Sequence, residues 1–175
     1  MAVEGSGRGR YQLAQVNIAV LREPLDAPAT AGFVAALGPI NQLADHSPGF
    51  VWRLQTPQGD ATSLRVFSDD RILVNLSVWE SVEALWTFTY ASRHLDLLRR
   101  RREWFHRPGE AYLALWWVET GSVPTVEEAK RRLERIRRCG PSPDAFTLRE
   151  PFPAPAPDGR PERAGVARSL TRDTA

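Results

Sequence analysis

Residues Ile72 to Trp79 alternate without a fault: Ile72, Val74, Leu76 and Val78 share one parity, Leu73, Asn75, Ser77 and Trp79 the other. Side chains of a strand point alternately to its two faces, so this stretch reads as a strand with one apolar and one mixed face. Weaker alternation marks two more strands. Tyr11 to Leu21 sets Ala14, Val16, Ile18 and Val20 against Gln15 and Asn17; Phe50 to Gln55 sets Phe50, Trp52 and Leu54 against Val51, Arg53 and Gln55. Tyr112 to Glu119 is apolar on both parities, as a strand covered on both sides would be.

Helical spacing fills the gaps. Phe33, Leu37, Ile40 and Ala44 predict a helix from an Asp26 cap to about Asp45, kinked or broken at Pro39. Ser81 opens a long helix with Glu83 early and arginines late, running to about His106. Thr125 and Glu128 form a capping box for a last helix that turns Val126, Ala129, Leu133 and Ile136 inward and stops at Gly140 and Pro141. The order β-α-β-β-α-β plus a helix predicts an α+β, ferredoxin-like fold with an extra C-terminal helix. The domain is expected over residues 11–149, between a flexible N-terminus at 1–10 and a disordered tail at 150–175, where Pro151, Pro153, Pro155, Pro157 and Pro161 deny regular structure.

Several function classes drop out on composition. The net charge of +2 lacks the one-sided basic excess of a nucleic-acid binder; the arginines at 99–102 and the basic run from Lys130 to Arg138 fall late in helices, where cations suit the dipole. No run of eighteen apolar residues is present, so no membrane span is expected. Met1 to Arg10 lacks the apolar core of a secretory signal, and Cys139 alone makes neither a disulfide framework nor a cysteine zinc cage. The expected location is cytoplasmic.

Parity also predicts a pocket. Val16, Ile18, Phe50, Trp52, Leu54, Val74 and Leu76 are expected beneath the helices. Gln15, Asn17, Arg53, Gln55, Asn75, Ser77 and Trp79 form a second face, apolar with a few amides, suited to orienting a small ligand. Along the long helix, Ala84, Phe88, Ala91, Leu95 and Leu98 make one apolar stripe. Trp86, Tyr90, Leu97 and Trp104 make another, which calls for a second packing partner: the last helix or another subunit. Arg102 projects towards the sheet. His94 lies beside the apolar stripe as a structural histidine, a general base or a haem ligand, and no second ligand stands at metal spacing from it.

The stretches Ser47 to Arg53 (SPGFVWR), Asn75 to Ser81 (NLSVWES), His94 with Arg99 to Trp104, and Leu115 to Trp117 resemble an uncharacterised bacterial domain family of the dimeric α/β-barrel superfamily. That family is similar, more distantly, to antibiotic-biosynthesis monooxygenases and Isd-type haem-degrading enzymes. The shared pattern is a strand ending in Trp, then Glu-Ser, then a helix carrying Ser92 and His94. The resemblance implies that Asn17 and Trp79 position a phenolic substrate. The Isd-type haem ligand would fall near Leu98 or Arg99, where no histidine stands.

Residues and resemblance together suggest a monooxygenase-like or isomerising enzyme for an aromatic or polyketide-like molecule, with no cofactor required. Arg53 and Arg102 would hold an anionic oxygen and His94 would move a proton, while Asn17, Asn75, Ser77, Trp79 and Trp117 would line the substrate pocket. The alternatives are a ligand-binding module without catalysis and a haem protein ligated through His94. A homodimer is expected in which the pocket-bearing sheet faces meet.

Overall fold

A computed structural model describes residues 9–156. Its elements are β1 (Tyr11–Val20), α1 (Ala31–Asp45, led in by a 3-10 turn), β2 (Phe50–Arg53), β3 (Ile72–Trp79), α2 (Val82–Ala91), α3 (His94–Trp104), β4 (Leu113–Glu119) and α4 (Val126–Cys139). The strands form one antiparallel sheet in the order β2-β3-β1-β4, the ferredoxin-like arrangement.

β1 pairs β3 with Val16 opposite Leu76 and Asn17 opposite Asn75, so parity carries across the sheet. Ala14, Val16, Ile18, Val74, Leu76, Val78, Ala114 and Trp116 form one buried face, covered by Ala129, Leu133 and Ile136 of α4 and by Val66 and Phe67 of the β2–β3 loop. Leu13, Trp79 and Leu115 form the other, covered by Ala44 of α1, Leu85 and Phe88 of α2, and the segment carrying Phe146 and Phe152. The chain is thus three layers: α1–α3, sheet, α4.

This corrects the expected faces. Parity tells which residues share a side but not which side receives which helix. The Val16 face lies under α4 and the β2–β3 loop, and the Gln15–Asn17–Asn75 face lies under α1–α3. Within one chain the pocket-bearing face, through which a homodimer was expected, is covered by α1–α3. Phe50 also changes sides. It pairs with Trp79 while Trp52 pairs with Val78, so a bulge at Val51 turns Phe50 onto the Trp79 ring (5.3 Å between centroids).

Local chemistry explains the boundaries. The hydroxyl of Ser81 accepts from Ala84 N (3.1 Å) and that of Thr125 from Glu128 N (3.1 Å), caps worth about 1 kcal/mol each. Asp26 does not cap α1. Instead the Thr30 hydroxyl lies 2.7–3.0 Å from the carbonyls of Pro24, Leu25 and Ala27 and closes the preceding turn. Pro39 does not break α1; Pro39 and Ala35 are exposed, so the carbonyl that loses its helical partner faces water. Gly49 has φ of 77°, and a Cβ there would lie 2.6 Å from Ala84 Cβ, so only glycine lets the β2 turn pack on α2.

The expected single helix from Ser81 to His106 is two. Ser92 is extended (φ −117°, ψ 178°); its hydroxyl donates to Phe88 O and accepts from His94 N (3.2 Å). One side chain closes α2 and opens α3, placing His94 in the first turn of a new helix. The break also splits the second apolar stripe: Trp86 and Tyr90 stay exposed, while Leu97 and Trp104 turn inward. Past Glu150 the described chain is docked, with Trp117 Nε1 donating to Phe152 O (2.9 Å) and the Phe146 and Phe152 rings 5.9 Å apart. The rest of the expected tail and residues 1–8 lie outside the described residues. Among the described residues no helix is long and apolar enough to cross a membrane.

Candidate functional site

A cavity of about 450 Å³ opens between the sheet and α1 and α3 and continues round the end of β1. Such a volume suits a small organic ligand. Its walls are mostly apolar: Phe33, Leu37 and Ile40 from α1, Leu97, Leu98 and Trp104 from α3, and Ala19 and Leu73 from the sheet. Into this surface project Asn17, Asn75, Arg53 and His94, four of the eight expected site residues. Asn75 is exposed although it lies in the middle of an inner strand, because the cavity stands above it.

The other four lie elsewhere. Arg102 is exposed and lines an adjoining chamber instead. Trp117 packs beside Phe146 and Phe152. Trp79 is 1% exposed, stacked on Phe88 (5.0 Å) and edge-on to Phe50, so it is a pillar behind the cavity rather than part of its wall. Ser77 is buried beside it.

Ser77 and Trp79 nevertheless reach the cavity through a hydrogen-bond chain. Trp79 Nε1 donates to Ser77 Oγ (3.0 Å), Ser77 Oγ donates to Gln15 Oε1 (2.8 Å), and Gln15 Nε2 donates to Asn17 Oδ1 (2.7 Å). An indole N–H can only donate, so Ser77 Oγ accepts from Trp79, and its own proton goes on to Gln15. Asn17 therefore accepts from behind through its oxygen, and its amide nitrogen is the free end. Gln15, expected on the pocket-bearing face but not among the candidate site residues, carries the chain to Asn17. The available signal was parity: Gln15 lies directly opposite Ser77 and one strand step of two from Asn17.

Arg53 is already engaged. Its guanidinium grips Asp45 through two bonds (2.7 and 3.1 Å) and donates to Gly59 O (2.8 Å). It ties β2 to the end of α1 and to the following loop, and the carboxylate neutralises the charge expected to hold an oxyanion.

His94 stands in the first turn of α3 with its ring against Phe88 (4.8 Å) and Nδ1 3.4 Å from Thr89 O. A carbonyl only accepts, so Nδ1 carries the proton and Nε2 is left as a base. Burial lowers the His94 pKa below its ordinary 6.5, outweighing the opposing bond to Thr89; the positive end of the helix dipole acts in the same direction as burial. The imidazole is neutral at pH 7. His106 also lines the cavity, and among the described residues no three His, Cys, Asp or Glu side chains group as a metal site.

Two solved structures are similar in part. SnoaB from Streptomyces nogalater, a cofactor-independent oxygenase, shares 18% identity over 65% of this chain and 98% of its own, with a TM-score of 0.45. NE2512 from Nitrosomonas europaea, a protein of unknown function, shares 14% over 68% of this chain and 97% of its own, with a TM-score of 0.41. No curated protein matches. The DUF3291 domain of unknown function matches residues 12–162, nearly the whole of the described structure, and the chain belongs to that family.

Proposed function

We propose that the cavity binds a small aromatic or polyketide-like molecule through a carbonyl or phenolic oxygen and removes a proton from it. The observation that carries this reading is the pairing, along one mostly apolar cavity, of the Asn17 amide, whose oxygen is taken by Gln15, with a histidine whose Nδ1 is directed at Thr89 O and whose pKa burial lowers. Donors aimed at an oxygen stabilise the negative charge that appears there when a neighbouring C–H or O–H is deprotonated. A neutral imidazole is the base for that step.

The reaction class we favour is oxygenation of an activated ring methylene. His94 takes the proton, the carbanion passes its electrons to molecular oxygen, and the peroxide loses water: R₂CH₂ + O₂ → R₂C=O + H₂O. No metal or flavin is needed for the balance. The same carbanion reprotonated at another carbon gives isomerisation. An oxygen electrode with a panel of anthrone-like substrates distinguishes these outcomes. Stoichiometric oxygen uptake with quinone formation supports oxygenation, and product without uptake supports isomerisation. Binding without turnover of any panel member points to the ligand-binding module.

Haem is the second reading, favoured by one feature: with Nδ1 donating to a carbonyl, Nε2 is the atom an axial histidine uses. A Soret shift on titrating haem, lost in His94→Ala, supports it.

A further inference from the structure

Next to the main cavity lies a chamber of about 410 Å³ lined by Leu98, Arg99, Arg101, Arg102, Phe105, His106 and Arg107. Leu98, Arg101, Phe105, His106 and Arg107 line the main cavity too, so the two spaces share a wall. Four arginines and a histidine line the chamber, and among the described residues no Asp or Glu does. Their neutralisation within the described residues is slight. Arg99 reaches Asp96 at 3.4 Å with both side chains about 70% exposed, a pair of little strength. Arg101 is held by Tyr112, through the hydroxyl (3.2 Å) and the ring face (5.2 Å), neither of which cancels its charge. Arg102 and Arg107 make no ion pair among the described residues, whereas the neighbouring Arg100, which lines neither space, is paired with Glu103 at 2.9 Å. Arg22 adds a further cation, donating to Arg102 O (2.9 Å).

The helix C-terminus accounts for a preference for cations here. It does not account for four of them around one hollow that opens beside an apolar cavity. Guanidinium forks match the oxygens of a multiply charged anion, and a single carboxylate would leave most of this charge unmet. We infer that the chamber takes a phosphate or diphosphate group on the far end of the molecule whose apolar body fills the main cavity. This rests on the reading of the main cavity as a small-molecule site and adds its second half: the ligand is an amphiphile, aryl or polyketide-like at one end and phosphorylated at the other.

The test is calorimetric titration of the full chain with 1-naphthyl phosphate, 1-naphthol and inorganic phosphate, repeated on Arg99→Ala/Arg102→Ala. Both residues line the chamber and not the main cavity, and both are exposed, so the variant should keep the wild-type melting temperature. The expected result is that naphthyl phosphate binds at least about tenfold tighter than naphthol, as one charge-assisted hydrogen bond would provide. That advantage should shrink with added salt and vanish in the double variant, with naphthol affinity unchanged. Equal binding of the two aryl compounds, or an advantage that survives the double variant, overturns the chamber and leaves the cavity reading standing. If inorganic phosphate binds as tightly as naphthyl phosphate while naphthol does not bind, the bipartite ligand and the cavity reading both fall. No binding by any of the three overturns both.

Discussion

Trp79 and Asn75 sit on the same strand and the same sheet face, yet one is 1% exposed and the other opens to the cavity. Around Trp79 the face is dry: Phe50, Phe88, Leu85, Leu115 and Phe146 close over it. Around Asn75, α1 and α3 stand off the sheet and leave about 450 Å³ between them. The break at Ser92 makes the contrast. It ends α2, which packs on the Trp79 end, and restarts the chain as α3, with Leu97 and Trp104 walling a space instead of filling it. What joins the two ends is the run Trp79–Ser77–Gln15–Asn17, which starts in the dry half and ends in the open one. The comparison teaches a division of labour: rigid aromatic packing anchors a chain of polar side chains whose far end opens to the cavity.

The largest effect is expected at the dry end. Trp79→Ala removes the largest buried aromatic of its cluster and should cost about 3–5 kcal/mol, read from urea unfolding. A loss below 1 kcal/mol would mean that the cluster is not the anchor described. Ser77→Ala comes next. It leaves the Trp79 N–H and Gln15 Oε1 buried without partners, an expected loss of about 1–3 kcal/mol, together with weaker ligand binding because Asn17 is no longer held. Unchanged affinity in a folded Ser77→Ala protein would detach the relay from the site. At the open end, Asn75→Ala should alter stability by no more than about 0.5 kcal/mol while lowering affinity for an oxygen-bearing aromatic ligand. A large stability loss there would erase the contrast between the two ends.

Much of this was legible beforehand. The bounds of β3, the caps at Ser81 and Thr125, and the stop at Gly140 follow from nearest-neighbour chemistry, and the structure places all of them as expected. Asn17, Asn75, Arg53 and His94 were reachable by parity and spacing. Three things were not. The choice of face for α1–α3 is a matter of global packing, since both faces of the sheet carry apolar residues. The bulge at Val51 is set by pairing with a strand about twenty residues on, and local alternation does not register it. The split at Ser92 was masked by the continuous helical stripe through it. Its local sign was a serine followed by Asp96 in the next turn, a helix-start pattern inside what read as one helix. Arg53 shows the limit differently: its presence at the cavity was predictable, its capture by Asp45 was not.

His94 carries the central claim, and its titration gives a distinctive signature. Its pKa is lowered in the folded chain, so the unfolded chain binds the extra proton first as pH falls below 6.5. The contribution to stability is present above that pH and is lost as pH drops through the folded value. His94→Ala should flatten this part of the acid limb. The most direct single measurement is His94→Ala at pH 7.5, assayed in parallel for turnover or binding of an oxygen-bearing aromatic ligand and for unfolding free energy. The account predicts that binding or turnover is lost while stability changes by less than about 1 kcal/mol, since the bond to Thr89 is long. Retained binding or turnover, with a stability loss of about 1–3 kcal/mol, would contradict it and make His94 a structural residue.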